Sequence, residues 1–317
     1  MKNKTLALKN LFLVLASLML ILVVGCNNSP TGPGGIQSNS NQQAMLKAVE
    51  GDSSISSFDF NYDEQSAMNI IGKTTVAIYP LRVGQKMRVV STNFTYTMAG
   101  DTAYGTYSKT FEGVLYIAAS YDSSSHTQDT IIQKPFTAVI SRKVVLLKLN
   151  QNPLDSVNFD WKVIAVSLPD GGTLNSNVNI TQMTIILPSG EIIIINDPND
   201  YYLDLGQGRW KQVPHFRSGQ KVTIQVNITS AYADTDFVTL THGGDMHGLH
   251  REKIKLDLVS STPMGNVYAK VYQQTFVTHT WPGYFHAVIN AFPRQVIYDD
   301  STPVESNTWG VPYYIQR

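Results

Sequence analysis

An all-β fold, built as two antiparallel β-sandwiches in tandem, is what the sequence predicts, on three observations. From about Phe58 onward the chain breaks into short runs rich in Val, Ile, Thr, Tyr and Phe, separated by clusters of Gly, Pro, Asn and Asp, the pattern of strands and turns. No long stretch carries apolar residues at helical spacing, and strands do not alternate with helices, which favours sandwiches or barrels over a parallel α/β arrangement. Finally, Arg82-Val83-Gly84-Gln85-Lys86 and Arg217-Ser218-Gly219-Gln220-Lys221 repeat the pattern R-x-G-Q-K at an offset of 135 residues. Pro80 and Pro214 stand shortly before the two copies and Asn93-Phe94 and Asn227-Ile228 shortly after, as expected if a turn feeds an equivalent strand in each half of a duplicated chain.

The β-prone runs in the first half are 74–81, 86–98, 109–121, 130–140, 143–149 and 157–168. Those in the second half are 178–187, 191–196, 221–232, 253–259, 267–276, 284–292 and 312–316. Leu187-Pro188-Ser189-Gly190-Glu191 joins two of them as a tight hairpin, with Gly190 free to take a positive φ. Asp170-Gly171-Gly172 is the predicted boundary between a first sandwich over 57–172 and a second over 173–317. Each unit has about the size of an immunoglobulin-like sandwich, although the cysteine and tryptophan pattern of antibody domains is absent and no motif of a named family marks the folded part.

Before these units the composition changes twice. Lys2, Lys4 and Lys9 precede an apolar run, Leu11 to Val24, of 14 residues; a helix crossing a bilayer core needs roughly 20. The run therefore suits a signal core better than a permanent span. Val23-Val24-Gly25-Cys26 resembles the lipobox of bacterial lipoprotein precursors, a resemblance confined to residues 1–26. It implies cleavage of a signal peptide, 1–25, a diacylglycerol thioether on Cys26 and an acyl chain such as palmitate on its freed amine. Several chains on one residue anchor firmly where one chain binds marginally. Asn27 stands where inner-membrane retention signals of some bacteria carry Asp, which points the lipid-anchored protein to the outer membrane of the cell envelope. Residues 26–56, opening with Asn, Ser, Pro and Gly and continuing in Gln, Asn and Ser, read as a flexible tether with a short helical turn or two over 42–50.

Without the three leader lysines, 21 basic residues face 24 acidic ones, a formal net charge of −3. With no Lys/Arg block, the chain lacks the clustered positive surface that a nucleic-acid partner requires. Cys26 is the sole cysteine, so no intrachain disulfide can form and the fold must stand on burial.

Chemistry-bearing residues concentrate late in the chain. Six of the seven histidines follow residue 214, and three fall in Thr241-His242-Gly243-Gly244-Asp245-Met246-His247-Gly248-Leu249-His250. His242, Asp245, His247 and His250 offer nitrogen and oxygen donors of the kind zinc or copper accepts, on a glycine-rich loop able to wrap an ion. His279 and His286 are further donors, and the bland alternative is a loop with surface histidines. Asp59-Phe60-Asn61-Tyr62-Asp63-Glu64 looks like the start of a calcium loop, but Glu64 occupies the position where such a loop needs glycine. Asn196-Asp197-Pro198-Asn199-Asp200 reads as a solvated acidic turn.

Three of the four tryptophans lie in the second half. Trp281, Tyr284 and Trp309 are the candidate aromatic ligand contacts, Trp281-Pro282-Gly283-Tyr284 being the most turn-like. Aromatic faces of this kind stack on sugar rings, though in sandwiches they more often plug the core. No G-x-S-x-G, P-loop or dinucleotide fingerprint is present. The sequence thus predicts a non-enzymatic, membrane-anchored envelope lipoprotein that binds a glycan or an envelope protein. The alternatives are a structural part of an envelope complex and a metal-binding protein or metal-dependent enzyme using the 242–250 loop.

Overall fold

Burial alternates along most of the long strands, so one face of each meets a core and the other meets water or a second layer. The computed structural model describes residues 37–52, 68–69, 78–124, 127–149, 160–204, 213–244 and 252–316. Among them, strands dominate. β1 (Met68–Asn69) pairs with β2 (Tyr79–Ala99), which continues into β3 (Thr102–Ser120) and β4 (Thr130–Leu149) as a long antiparallel meander. Short strands follow: β5 (Asp160–Ser167), β6 (Asp170–Thr173), β7 (Val178–Ile186), β8 (Ile192–Ile195), β9 (Tyr202–Asp204) and β10 (His215–Arg217). The remainder are β11 (Lys221–Ser230), β12 (Phe237–Gly244), β13 (Glu252–Lys255), β14 (Asp257–Met264), β15 (Val267–Val277), β16 (Gly283–Phe292) and β17 (Asn307–Gln316).

They form two sheets. A 12-stranded sheet runs β1-β2-β3-β4-β6-β17-β16-β12-β13, with β5 and β9 branching from β4 and β10 lying parallel to β17. A five-stranded sheet runs β14-β15-β11-β7-β8. Val222, Ile224, Val226 and Ile228 of β11 share one core with Phe285, Ala287 and Ile289 of β16 and with Trp309, Val311 and Tyr313 of β17. The all-β expectation holds, and the two sheets enclose this core as a sandwich.

The expected boundary at 170–172 falls inside β6, which bonds to Ser141–Ala138 of β4 on one side and to Asn307–Trp309 of β17 on the other. Strands from both halves therefore share one sheet, and Asn41–Arg317 forms a single compact unit. The repeat used to argue duplication also parts company here. Arg82–Lys86 lies inside β2, whereas Arg217–Lys221 turns from β10 into β11 with Gly219 at φ +66°. Other expected elements merge or split: 130–140 and 143–149 are one strand, 86–98 and the end of 74–81 from Tyr79 onward both lie in β2, and 253–259 is divided between β13 and β14. The hairpin at Gly190 is as expected, with φ +86° and a hydrogen bond from Leu187 N to Glu191 O of 3.0 Å.

Within the expected tether, residues 37–51 form a helix, α1 (Gln37–Gly51). Its reason is tertiary: Met45 and Val49, four apart on one face, are fully buried in the main core beside Phe94, and Gln42 Nε2 donates to Phe94 O,. A second helix, α2 (Arg294–Tyr298), packs Val296 and Ile297 against Leu115 and Ile117 of the meander. Lys134 fastens it. Its buried ammonium donates to the carbonyls of Val296 and Thr302 at 2.8 Å and to that of Asp299, a cation placed where a helix C-terminus exposes its oxygens.

At β6 the backbone comes so close to its neighbours that side chains are excluded. A Cβ on Gly171 would lie 2.2 Å from Val139 O, and one on Gly172, at φ +151°, 2.1 Å from Ser306 O. Gly171→Ala is expected to cost about 3 kcal/mol or more in urea denaturation, because strands must separate to admit the methyl. Gly219→Ala, where nothing lies within 4 Å, should cost only about 1 kcal/mol, for its positive φ alone.

Candidate functional site

Side chains of mixed aromatic and imidazole character gather where β15 turns into β16. The turn, 278–282, is pinned to the 217–220 turn by a set of hydrogen bonds. Thr278 Oγ1 donates to Arg217 O (2.7 Å) and accepts from Gln220 N (2.9 Å). Ser218 Oγ donates to Thr280 O (2.6 Å), and Gly219 N donates to His279 O (3.2 Å). The second R-x-G-Q-K copy thus serves as a buttress for the aromatic turn.

On that buttress Trp281 stands 46% exposed. Its ring stacks on His279 with centroids 5.1 Å apart and planes 9° from parallel. Next along the chain, Tyr284 is half-buried against Tyr314 at 4.7 Å, and Tyr314 meets exposed His215 at 5.3 Å. Strand register makes this a row: Tyr284 opposes Tyr314 across β16 and β17, and Tyr314 opposes His215 across β17 and β10. Cross-strand neighbours on one face lie close enough for their rings to touch. The row therefore presents flat apolar faces with polar rims, an arrangement suited to stacking on a sugar or another planar group. Burial raises the Tyr284 hydroxyl above its ordinary range, so it stays protonated and able to donate at neutral pH,.

Trp309 does not belong to this face. It is 4% exposed and sits in the main core, because its position in β17 has the parity that points between the sheets. The alternation of Trp309, Val311, Tyr313 and Ile315 carries this signal in the sequence, and it outweighs the ring's size.

His242 lies in β12, not on a surface loop. It is 1% exposed, its ring 4.4 Å from Phe276 and 5.8 Å from His279, and neither ring nitrogen has a hydrogen-bond partner among the described residues. Glu252, opposite in β13, brings a carboxylate oxygen to 3.5 Å from Nε2. Asp245, His247 and His250, like the calcium-like segment 59–64, lie outside the described residues. Among the described residues no group of three or more His, Cys, Asp or Glu is arranged to hold a metal ion. The acidic turn at 196–200 is capped by its own side chains: Asp197 Oδ1 accepts from Asn199 N (2.7 Å), and Asp200 pairs with Lys143 (2.6 Å).

One concavity has no signature in the sequence. On the meander, a cavity of about 570 Å³ is lined by Lys86, Arg88, Glu112, Tyr116, Pro135 and Phe136, among others. Arg88 and Glu112 pair across it at 2.9 Å, both exposed, where such pairs contribute little. Its residues come from three strands, so only their pairing brings them together. Compared with protein-family models and with curated proteins, the chain matches none.

Burial of His242, with His279 adding to it, lowers its pKa from 6.5 to about 4. The unfolded chain therefore takes up this proton first, and stability present above pH 6.5 is lost as the pH falls toward 4, by up to about 3 kcal/mol. Asp170 acts in the opposite direction: burial and then the charge of Asp197 raise it to about 6, so the folded form binds that proton first. Measured between pH 7.5 and 4.5, the loss in urea-denaturation stability should be smaller in His242→Phe than in the parent chain, because only the histidine contribution is removed.

Proposed function

We propose that this chain is a non-enzymatic binding module of the bacterial cell envelope, held at the outer membrane by lipid on Cys26 and binding a glycan through the aromatic turn at Trp281. One observation carries the reading: an exposed tryptophan, stacked on His279, in a turn whose Thr278 and Thr280 are hydrogen-bonded to a neighbouring turn. Large apolar rings are normally withdrawn from water, and a ring held rigidly in the open keeps its stacking face available without an ordering cost on binding. The scaffold for this role is the sandwich formed by the two sheets. Strands from 178 onward supply the whole five-stranded layer of that sandwich.

A metal-binding role for the 242–250 segment is the second reading, favoured by His242. A buried imidazole whose nitrogens have no hydrogen-bond partner among the described residues, with a carboxylate at 3.5 Å, has the donor chemistry for zinc or copper,. Elemental analysis after equilibration with zinc, copper and nickel and then dialysis separates the readings, since a bound ion should disappear in His242→Phe. A scaffold role in an envelope complex would draw on exposed edges such as β8, where Ile192 and Ile194 face solvent,.

Binding to an oligosaccharide array and to isolated peptidoglycan is the direct test. Trp281→Ala should weaken the strongest interaction about tenfold while leaving the denaturation midpoint nearly unchanged, because the ring is half exposed. Uniform binding by parent and variant would remove the turn from the function. For the anchor, Cys26→Ser should move the protein from the membrane fraction to the soluble fraction of cells expressing the full chain, and continued sedimentation with membranes would refute lipid attachment there.

A further inference from the structure

We propose that Lys270 and Asp236 condense into an intramolecular amide, an isopeptide bond that staples the two sheets of the sandwich. Lys270 lies in β15 of the five-stranded sheet, and Asp236 immediately precedes β12 of the 12-stranded sheet. The two side chains meet at 2.6 Å, from Nζ to Oδ2, and neither is accessible to solvent. They are 34 residues apart in the chain.

The surroundings suit condensation and not merely pairing. Two buried opposite charges cost several kcal/mol each in lost hydration, and transfer of one proton from ammonium to carboxylate gives the neutral amine and neutral acid that react. Burial raises the Asp236 pKa, as this transfer requires,. The amine left by that transfer, desolvated and held against the acid, is a competent nucleophile. Both carboxyl oxygens are already engaged. Ser230 Oγ donates to Oδ1 at 3.0 Å. Tyr272 Oη accepts from Asp236 N at 2.7 Å and lies 3.4 Å from Oδ2, to which it donates.

In the step itself the Nζ lone pair forms a C–N bond to Cγ, and negative charge developing on Oδ1 is held by Ser230. The Cγ–Oδ2 bond then breaks. Oδ2 departs as water, carrying the acid proton and one proton passed directly from Nζ, which it already contacts at 2.6 Å. No oxidant, reductant or activated co-reactant is required. Every polar group of the product keeps a partner: the amide N–H retains the Asp234 carbonyl that Nζ already contacts, and the amide oxygen retains Ser230. A finished amide also removes the buried charges, which the ion pair does not. The chain has one cysteine, Cys26, so no intrachain disulfide can form, and this bond would do the work that a disulfide does in other exported folds.

Peptide mapping of the full chain, denatured before proteolysis, decides the matter without any variant. The expected result is a branched peptide joining the segments around 236 and 270, with a mass equal to the two peptides less one water. Recovery of both segments unlinked at full mass, from protein aged for days at neutral pH, would overturn the proposal. Lys270→Arg keeps the positive charge beside Asp236 but offers no amine to acylate, and Asp236→Ala removes the acyl carbon. Both should yield the two segments unlinked, and a branched peptide surviving in either variant would also overturn the assignment.

Discussion

Four residues, Asp170 to Thr173, hold the architecture together. β6 fills the gap between the meander and the central strands, and it can do so only because Gly171 and Gly172 let three backbones approach within a distance that a methyl group would forbid,. Everything on the far side depends on this joint. The meander can cover β16, where Met87, Phe111 and Ile140 meet Val288, only if its third strand is continuous through β6 with β17. Sheet continuity, and not a linker, makes one body of what would otherwise be two halves.

Having no disulfide available among its folded strands, the protein places charge in its interior at defined points. Lys134 closes the carbonyl end of α2, and Lys270 reaches Asp236 between the sheets. Each such group is costly to bury and tolerated only because its donors are filled. An interior of this kind specifies one arrangement: a slip of either strand would strand a charge without partners. The same logic gives His242 its pH sensitivity, since burial disfavours its charged form and no buried acceptor among the described residues compensates it.

The candidate binding face inherits its rigidity from this framework. Trp281 stacks on His279 next to Thr280, whose carbonyl accepts from Ser218 of the 217–220 turn, while β16 and β17 set Tyr284 beside Tyr314. A face supported by sheet register and short hydrogen bonds loses little entropy when it engages a ligand. It contrasts with the open groove on the meander, where Arg88 and Glu112, opposite each other on β2 and β3, form an exposed ion pair.

Local pattern determined the strands and some of their turns. Alternation along 178–186, 221–230 and 267–277 depends only on residues two apart, and the Gly190 hairpin only on a positive φ, so both were legible,. The exposed aromatic turn was legible as well, because a Pro-Gly pair at 282–283 marks a turn. Tertiary structure decided the rest. Whether R-x-G-Q-K is strand or turn depends on what it pairs with, which is why one motif lies straight in β2 and bends at Gly219. Trp309 and Trp281 are the same residue type, separated by the parity of a strand in one case and the end of a strand in the other. That Gly171 and Gly172 join strands, where a glycine pair reads as a linker, follows from the Val139 carbonyl brought up to the first and the Ser306 carbonyl to the second. Long-range pairing of this sort has no periodic trace along the chain, because the partners lie tens of residues away and their distance is set by the sheet.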